Sequence, residues 1–266
     1  MRSGPAAAVC LLVLSVACLG AIGCERVLGR EYEYEEQIYL ATDGSASVVV
    51  NSSIAALVAL RGLDLDPSPD AAVDRERVRR LYTSPVSTVT RVSRPWRRHG
   101  RNFVQVRVDT ADVRRLGQLP PFAWSEYGFA STPVEPASDS GRPGAEPLIE
   151  YRQKVGEPVR TGADGFGWTG DELVAIRLHL PSKISFHNAP SKRVDRGNIV
   201  AWEQPLRARL GGEPIDIQVR MESQSILYRT LAIFGLAMVA ALTVLAVAIS
   251  WVVRRGRRSV GTPAAV

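Results

Sequence analysis

Between Thr230 and Val253 the chain runs for 24 residues without a charged side chain. At about 1.5 Å per residue a helix of that length spans roughly 36 Å, enough to cross a hydrocarbon core of about 30 Å with some tilt. Tyr228 and Trp251 stand near its ends, where aromatic rings favour the membrane interface. No polar face interrupts the run, which argues against a core helix of a soluble domain. A transmembrane helix is expected over residues 229–253. With nothing ionisable inside it, it reads as an anchor and not as a conduction or proton path.

The charge distribution says which way the anchor points. The chain has 266 residues, a formal net charge of +6 and a pI near 9.5, values that invite a nucleic-acid partner. The excess, however, sits in Arg2, Arg229, Arg254, Arg255, Arg257 and Arg258. All six flank apolar stretches, and the residues between Glu25 and Tyr228 sum to zero. Basic residues beside a span mark its cytoplasmic side. Residues 254–266 are therefore expected to form a short basic cytoplasmic tail and residues 24–228 an extracytoplasmic domain. No nucleic-acid partner is expected.

The N-terminus agrees. Arg2 is followed by an uncharged stretch, Pro5 to Ile22, and small residues precede Cys24. This is the layout of a secretory signal over residues 1–23, the alternative being an uncleaved N-terminal anchor. The three cysteines are Cys10, Cys18 and Cys24, so cleavage before Cys24 leaves one thiol and no internal disulfide. Ala21-Ile22-Gly23-Cys24 resembles the bacterial lipobox, which implies acylation of Cys24; plain signal cleavage is the competing outcome.

The exported part reads as α+β, an antiparallel, strand-rich domain with one or two helices. Tyr32–Leu40 and Ala46–Val50 flank Asp43-Gly44-Ser45 as a hairpin. Ser84–Trp96 and Asn102–Asp109 pair around His99-Gly100. Leu173–Leu180 alternates, and Ile199–Trp202 and Ile215–Val219 add strands. Ser68-Pro69 suits the start of a helix running to about Tyr82. Ile54–Leu60 fits helix or strand. Residues 131–147, rich in proline, form a loop that leaves one domain or two open.

Charge inside this neutral domain is segregated: residues 24–74 carry −7 and residues 75–115 carry +9. The basic block holds Arg91, Arg94, Arg97, Arg98 and Arg101 around Trp96 and His99. These form a candidate patch for anionic lipid head groups, with Trp96 at the interface. The competing view is a solvated hairpin tip neutralised by the acidic segment Glu31–Glu36 on a neighbouring strand.

Other chemistry is sparse. His99, His179 and His187 stand in no metal or triad spacing, and no Gly-x-Ser-x-Gly occurs. Asp64, Asp66 and Asp70 are interrupted by prolines, so a Ca²⁺ loop is disfavoured. Gly165–Gly170 reads as a flexible loop. No catalytic residue, metal or cofactor is expected.

Signal, α+β envelope domain and one C-terminal helix with a basic tail together make a layout similar to that of the mycobacterial LppM-type exported lipoproteins. Local echoes are Asp43-Gly44-Ser45 after the first strand, Leu180-Pro181 leading to His187-Asn188, and Trp202. The resemblance implies a non-enzymatic envelope role with binding of acylated or glycosylated lipid. The expectation is thus a single-pass, membrane-anchored envelope protein that binds a lipid or protein partner. An envelope enzyme near the membrane surface, or a one-helix sensor or assembly factor, are the alternatives. The enzyme would require a pocket where His179 or His187 meets a carboxylate.

Overall fold

Asp43 closes the first hairpin as its sequence suggests. In the computed structural model, which describes residues 30–132, 147–159 and 165–259, its Oδ1 accepts from Ser45 N at 2.9 Å and from Ser45 Oγ at 2.7 Å. The strands on either side are β1 (Tyr32–Leu40) and β2 (Ala46–Ser53). Residues 1–29, which include the signal segment and Cys24, lie outside the described residues, as do 133–146 of the 131–147 loop and the tail from 260.

The ambiguous run after β2 is a helix, α1 (Ile54–Arg61). Ser53 Oγ accepts from Ala56 N at 3.0 Å at its start. At its end Gly62 takes φ +66°, and Gly62 N and Leu63 N bond back to Val58 O and Leu57 O. That left-handed close favours glycine. All eight residues are buried, so no polar face existed to betray the helical period.

The second helix begins later than expected. α2 covers Arg75–Tyr82, capped by Asp74, whose Oδ1 accepts from Glu76 N and Arg77 N. Ser68-Pro69 instead makes a tight turn: Ser68 O accepts from Ala71 N at 3.1 Å, and Ser68 N donates to Asp66 Oδ1 at 2.9 Å. Proline suits the second place of such a turn as well as the first turn of a helix, so the two uses look alike in sequence.

The remaining elements are β3 (Thr88–Val92), β4 (Trp96–Arg98), β5 (Arg101–Thr110), β6 (Ser125–Ser131), β7 (Leu148–Val155), β8 (Leu173–His179), β9 (Ser182–His187), β10 (Ile199–Pro205), α3 (Leu206–Leu210), β11 (Ile215–Ser225) and α4 (Ile226–Ser259). Two sheets result. One runs β10-β8-β1-β2-β5-β3, with β4 also on β5; the other runs β6-β7-β11-β9. Every pairing is antiparallel except β1 with β8. The fold is α+β. β6, β7 and β9 were not anticipated.

A single apolar cluster draws Ile38, Val50, Val106 and Ile176 from the first sheet and Ile149, Tyr151, Ile217 and Val219 from the second. One fully buried carboxylate ties the layers. Glu36 of β1 takes Arg61 Nη2 from α1 at 2.7 Å, Tyr127 Oη from β6 at 3.3 Å and Gln153 Nε2 from β7 at 3.3 Å.

Strand direction sets where things stand. β11 ends at Ser225 opposite Ser182, two residues past Leu180 and next to the His179 end of β8. α4 therefore leaves the domain at that end. Its segment Thr230–Val252, with mean hydropathy 2.6, is long and apolar enough to cross a membrane. β5 begins at the other end. From Asp109, level with Ser47 and Tyr39, back to Arg101 is eight residues, or about 26 Å at 3.3 Å per residue. Arg30, the first described residue, lies at that same far end, two residues before β1 begins at Tyr32.

Candidate functional site

The β4–β5 hairpin turns on two residues between the paired Arg98 and Arg101. His99 takes φ +48° and Gly100 φ +75°, the two positive values that a type I′ turn needs to match strand twist. Histidine accepts that conformation more readily than most side chains. Its Nδ1 lies 3.6 Å from Glu31 Oε1.

Around this tip the candidate residues divide in three. Trp96 stacks on Phe103, centroids 5.8 Å apart, and keeps 39% of its surface exposed. Arg94, Arg97 and Arg98 are exposed within two residues of it, Arg97 on the other face of the hairpin. Arg97 reaches Asp70 at 3.4 Å, but both side chains are largely in solvent, where such a pair contributes little. Arg98 Nη2 donates to Arg30 O at 3.4 Å.

Arg101 is different in kind. It is buried, and its guanidinium donates to Glu33 Oε1 at 2.9 Å, Glu31 Oε1 at 2.6 Å and Gly167 O at 3.3 Å. Glu172 stands 3.9 Å away. Burial alone would raise the Glu172 carboxyl, yet the N–H groups of Thr169 and Gly170 and the Arg101 charge outweigh it and hold it below its ordinary value. Arg101 thus clamps the hairpin tip to the start of β1 and to the glycine-rich loop. A cleft of about 430 Å³ opens between that loop, the hairpin tip and Pro67–Pro69.

Arg91 is separate again. It pairs with Arg107 in the ladder, six residues along β5 from Arg101, or about 20 Å. The two charge blocks do face each other in part, through Arg77–Asp64, Arg97–Asp70 and Arg101 with Glu31 and Glu33. Arg91, Arg94, Arg98 and Arg107 form no ion pair among the described residues.

The histidines expected of an envelope enzyme stand elsewhere. His179 stacks on Tyr39 at 4.0 Å and places Nε2 3.2 Å from Gln37 Oε1. Burial, then the Arg177 charge, hold it below its ordinary value. Burial and Lys192 do the same to His187. Neither lies within ion-pair distance of a carboxylate among the described residues. Asp64 and Asp70 pair with arginines while Asp66 caps a turn. No group of three or more metal-ligating side chains converges among the described residues.

The buried Glu36–Arg61 pair escaped sequence reading, although one signal was present. Glu36 shares the parity of Tyr34, Ile38 and Leu40 along β1, so the alternation that buries those three buries it too.

These features define an α+β domain joined to one apolar helix, with an arginine-rich hairpin at the domain's far end. No protein-family model matches the chain, and no curated protein matches it. Among solved structures it is similar to the folded domain of Mycobacterium tuberculosis LppM, determined by NMR. That match has 13% identity and a TM-score of 0.36, over 75% of this chain and 95% of that one. The likeness is weak and lies at the level of fold.

Proposed function

We propose that this chain is a binding protein of a bacterial envelope, held at its membrane by α4 and by acylated Cys24, whose β4–β5 hairpin meets anionic lipid head groups. The domain lies outside and the basic tail in the cytoplasm. One observation carries the reading. Arg94, Arg97 and Arg98 stand exposed within two residues of a partly exposed Trp96, and Arg98 touches the backbone of Arg30, six residues after Cys24. Three cations beside an indole suit the charged and apolar layers of a lipid interface. Anchors at opposite ends of the domain would lay it lengthwise along the bilayer and bring the hairpin down to the surface.

The test uses the full chain in vesicles carrying brominated lipid. Quenching of Trp96, taken as the difference from a Trp96→Phe variant, is expected with anionic lipid and absent with neutral lipid. Changing Arg94, Arg97 and Arg98 together to Glu should abolish it. Quenching that ignores these charges would overturn the reading.

The enzymatic alternative has one arrangement in its favour. Ser68 and His99 line the same cleft, and His99 Nδ1 lies 3.6 Å from Glu31. Ester hydrolysis by the full chain that Ser68→Ala removes would favour it.

A further inference from the structure

The solvent face of the first sheet carries a second group of cations, independent of the hairpin. Its register sets Arg91, Arg107, Val49, Gln37 and Arg177 in one row across five strands. Arg91 and Arg107 are directly opposite each other. Like charges in that relation destabilise a ladder, and neither side chain meets a carboxylate within ion-pair distance among the described residues. Glu35, one row away, is engaged by Arg177 at 2.8 Å and by Asn51 Nδ2 at 3.1 Å. Asp109, on the other side, pairs with neither arginine.

The surroundings form a shallow groove of about 210 Å³. Val49 lies on its floor, with Arg91 and Arg107 at one side and Tyr39, Gln37 and Asn51 among its lining. The ring of Tyr39 is fixed by its neighbours. His179 stacks on it at 4.0 Å, its hydroxyl donates to Gln37 Oε1 at 3.1 Å, and Arg107 Cζ lies 5.9 Å from its centroid. Arg107 Nε is itself fixed by Ser47 Oγ at 3.1 Å. A rigid aromatic face thus stands beside two uncompensated guanidiniums.

We infer that this groove binds a phosphomonoester carried on a ring, the phosphate between Arg91 and Arg107 and the ring against Tyr39. Charge complementarity selects the phosphate, because guanidinium groups bind its oxygens through charge-assisted hydrogen bonds. Tyr39, partly exposed and lining the same groove, selects the ring. Arg91 and Arg107 keep their unfavourable opposition in the free protein, and a dianion between them relieves it.

The test is calorimetric titration of the full chain in nanodiscs of neutral lipid, with inorganic phosphate, phenyl phosphate and glucose 6-phosphate as probes. At least one ring phosphate should bind about tenfold more tightly than inorganic phosphate, and the two arms tell an aromatic ring from a sugar. Arg91→Thr or Arg107→Thr should weaken every probe by about tenfold or more, the loss expected for a charged hydrogen bond. Tyr39→Ala should erase the ring's advantage and leave inorganic phosphate unchanged. Arg91→Thr should also raise the Tm of the free protein by about 1–3 °C, as relief of a like-charge pair predicts. Changing Arg97 and Arg98 to Ala should leave all three affinities as they were, which keeps this site distinct from the hairpin. No binding at millimolar concentration, equal binding of all three probes, or indifference to Arg91 and Arg107 would each overturn the inference.

Discussion

The guanidinium carbon of Arg61 lies 3.3 Å from the centroid of the Trp124 ring, and the same side chain holds the fully buried Glu36 at 2.7 Å. Arg209 approaches that indole as well, at 5.3 Å, and burial followed by the Arg61 charge draws its pKa down to about 10. Trp124 leads into β6, Glu36 is in β1 and Arg61 ends α1, so one cation joins three parts of the fold.

Removing Arg61 should therefore be costly. Arg61→Met leaves Glu36 buried with no cation, and loss of one partner of a buried pair costs about 3–5 kcal/mol. The double change Glu36→Leu with Arg61→Met removes both charges and should recover much of that loss. Thermal unfolding of the full chain in detergent, followed by circular dichroism, measures both. A double variant no more stable than Arg61→Met would show that hydrogen bonds, and not the ion pair, hold the layers together.

The two hairpins, the alternating β8 and the long apolar helix were legible because their signals are local. Asp43 and His99-Gly100 act within a turn, and α4 is recognisable by length and apolarity alone. β6 and β9 sit on edges of the second sheet, and the β9 pairing with β11 shifts register twice, so their alternation is weak. β7 alternates well, but a buried Gln153 occupies one of its inward places. The site divided for a similar reason. Arg101 finds Glu33 across 68 residues, and Arg91 leaves the cluster because the ladder pairs it with Arg107. Nothing local to residues 91–101 encodes either partner.

That division makes a prediction of its own. Arg101→Ala should destabilise the protein by about 3–5 kcal/mol, since it strands the fully buried Glu33 beside Glu172. Arg97→Ala and Arg98→Ala should leave stability essentially unchanged, because both side chains are exposed. Denaturant midpoints of the three variants distinguish a clamp from a surface patch. Equal destabilisation by all three would mean that the exposed arginines also hold the fold together.

Acid should weaken the fold in two windows. His179 and His187 are held below their ordinary value in the folded chain, so the unfolded chain binds more protons. Their contribution is complete above about pH 6.5, the ordinary histidine value, and is lost as the pH falls towards the folded values. Glu172, also lowered, contributes above the ordinary carboxylate range and loses its share only at lower pH. Stability measured from pH 7.5 to 5 should decline, and changing both histidines to Gln should flatten that slope. Glu172→Gln should lower stability by a constant amount above about pH 4.5 and change the slope only below it.

Attachment at Cys24 is the hinge of the proposed orientation. Cys24 stands six residues before Arg30, and six extended residues reach only about 20 Å. The domain end that releases α4 is farther than that from Arg30, given the roughly 26 Å of β5 alone. Two anchors in one bilayer therefore cannot both be reached with the domain upright on α4, whereas a domain lying along the surface satisfies both. The mass of the mature N-terminus should show acylated Cys24. Cys24→Ser should then lower the lipid quenching of Trp96 even with every hairpin arginine in place, because α4 alone no longer holds the far end down. Full quenching in that variant would mean that the hairpin charges suffice for docking and that the second anchor adds nothing to the orientation.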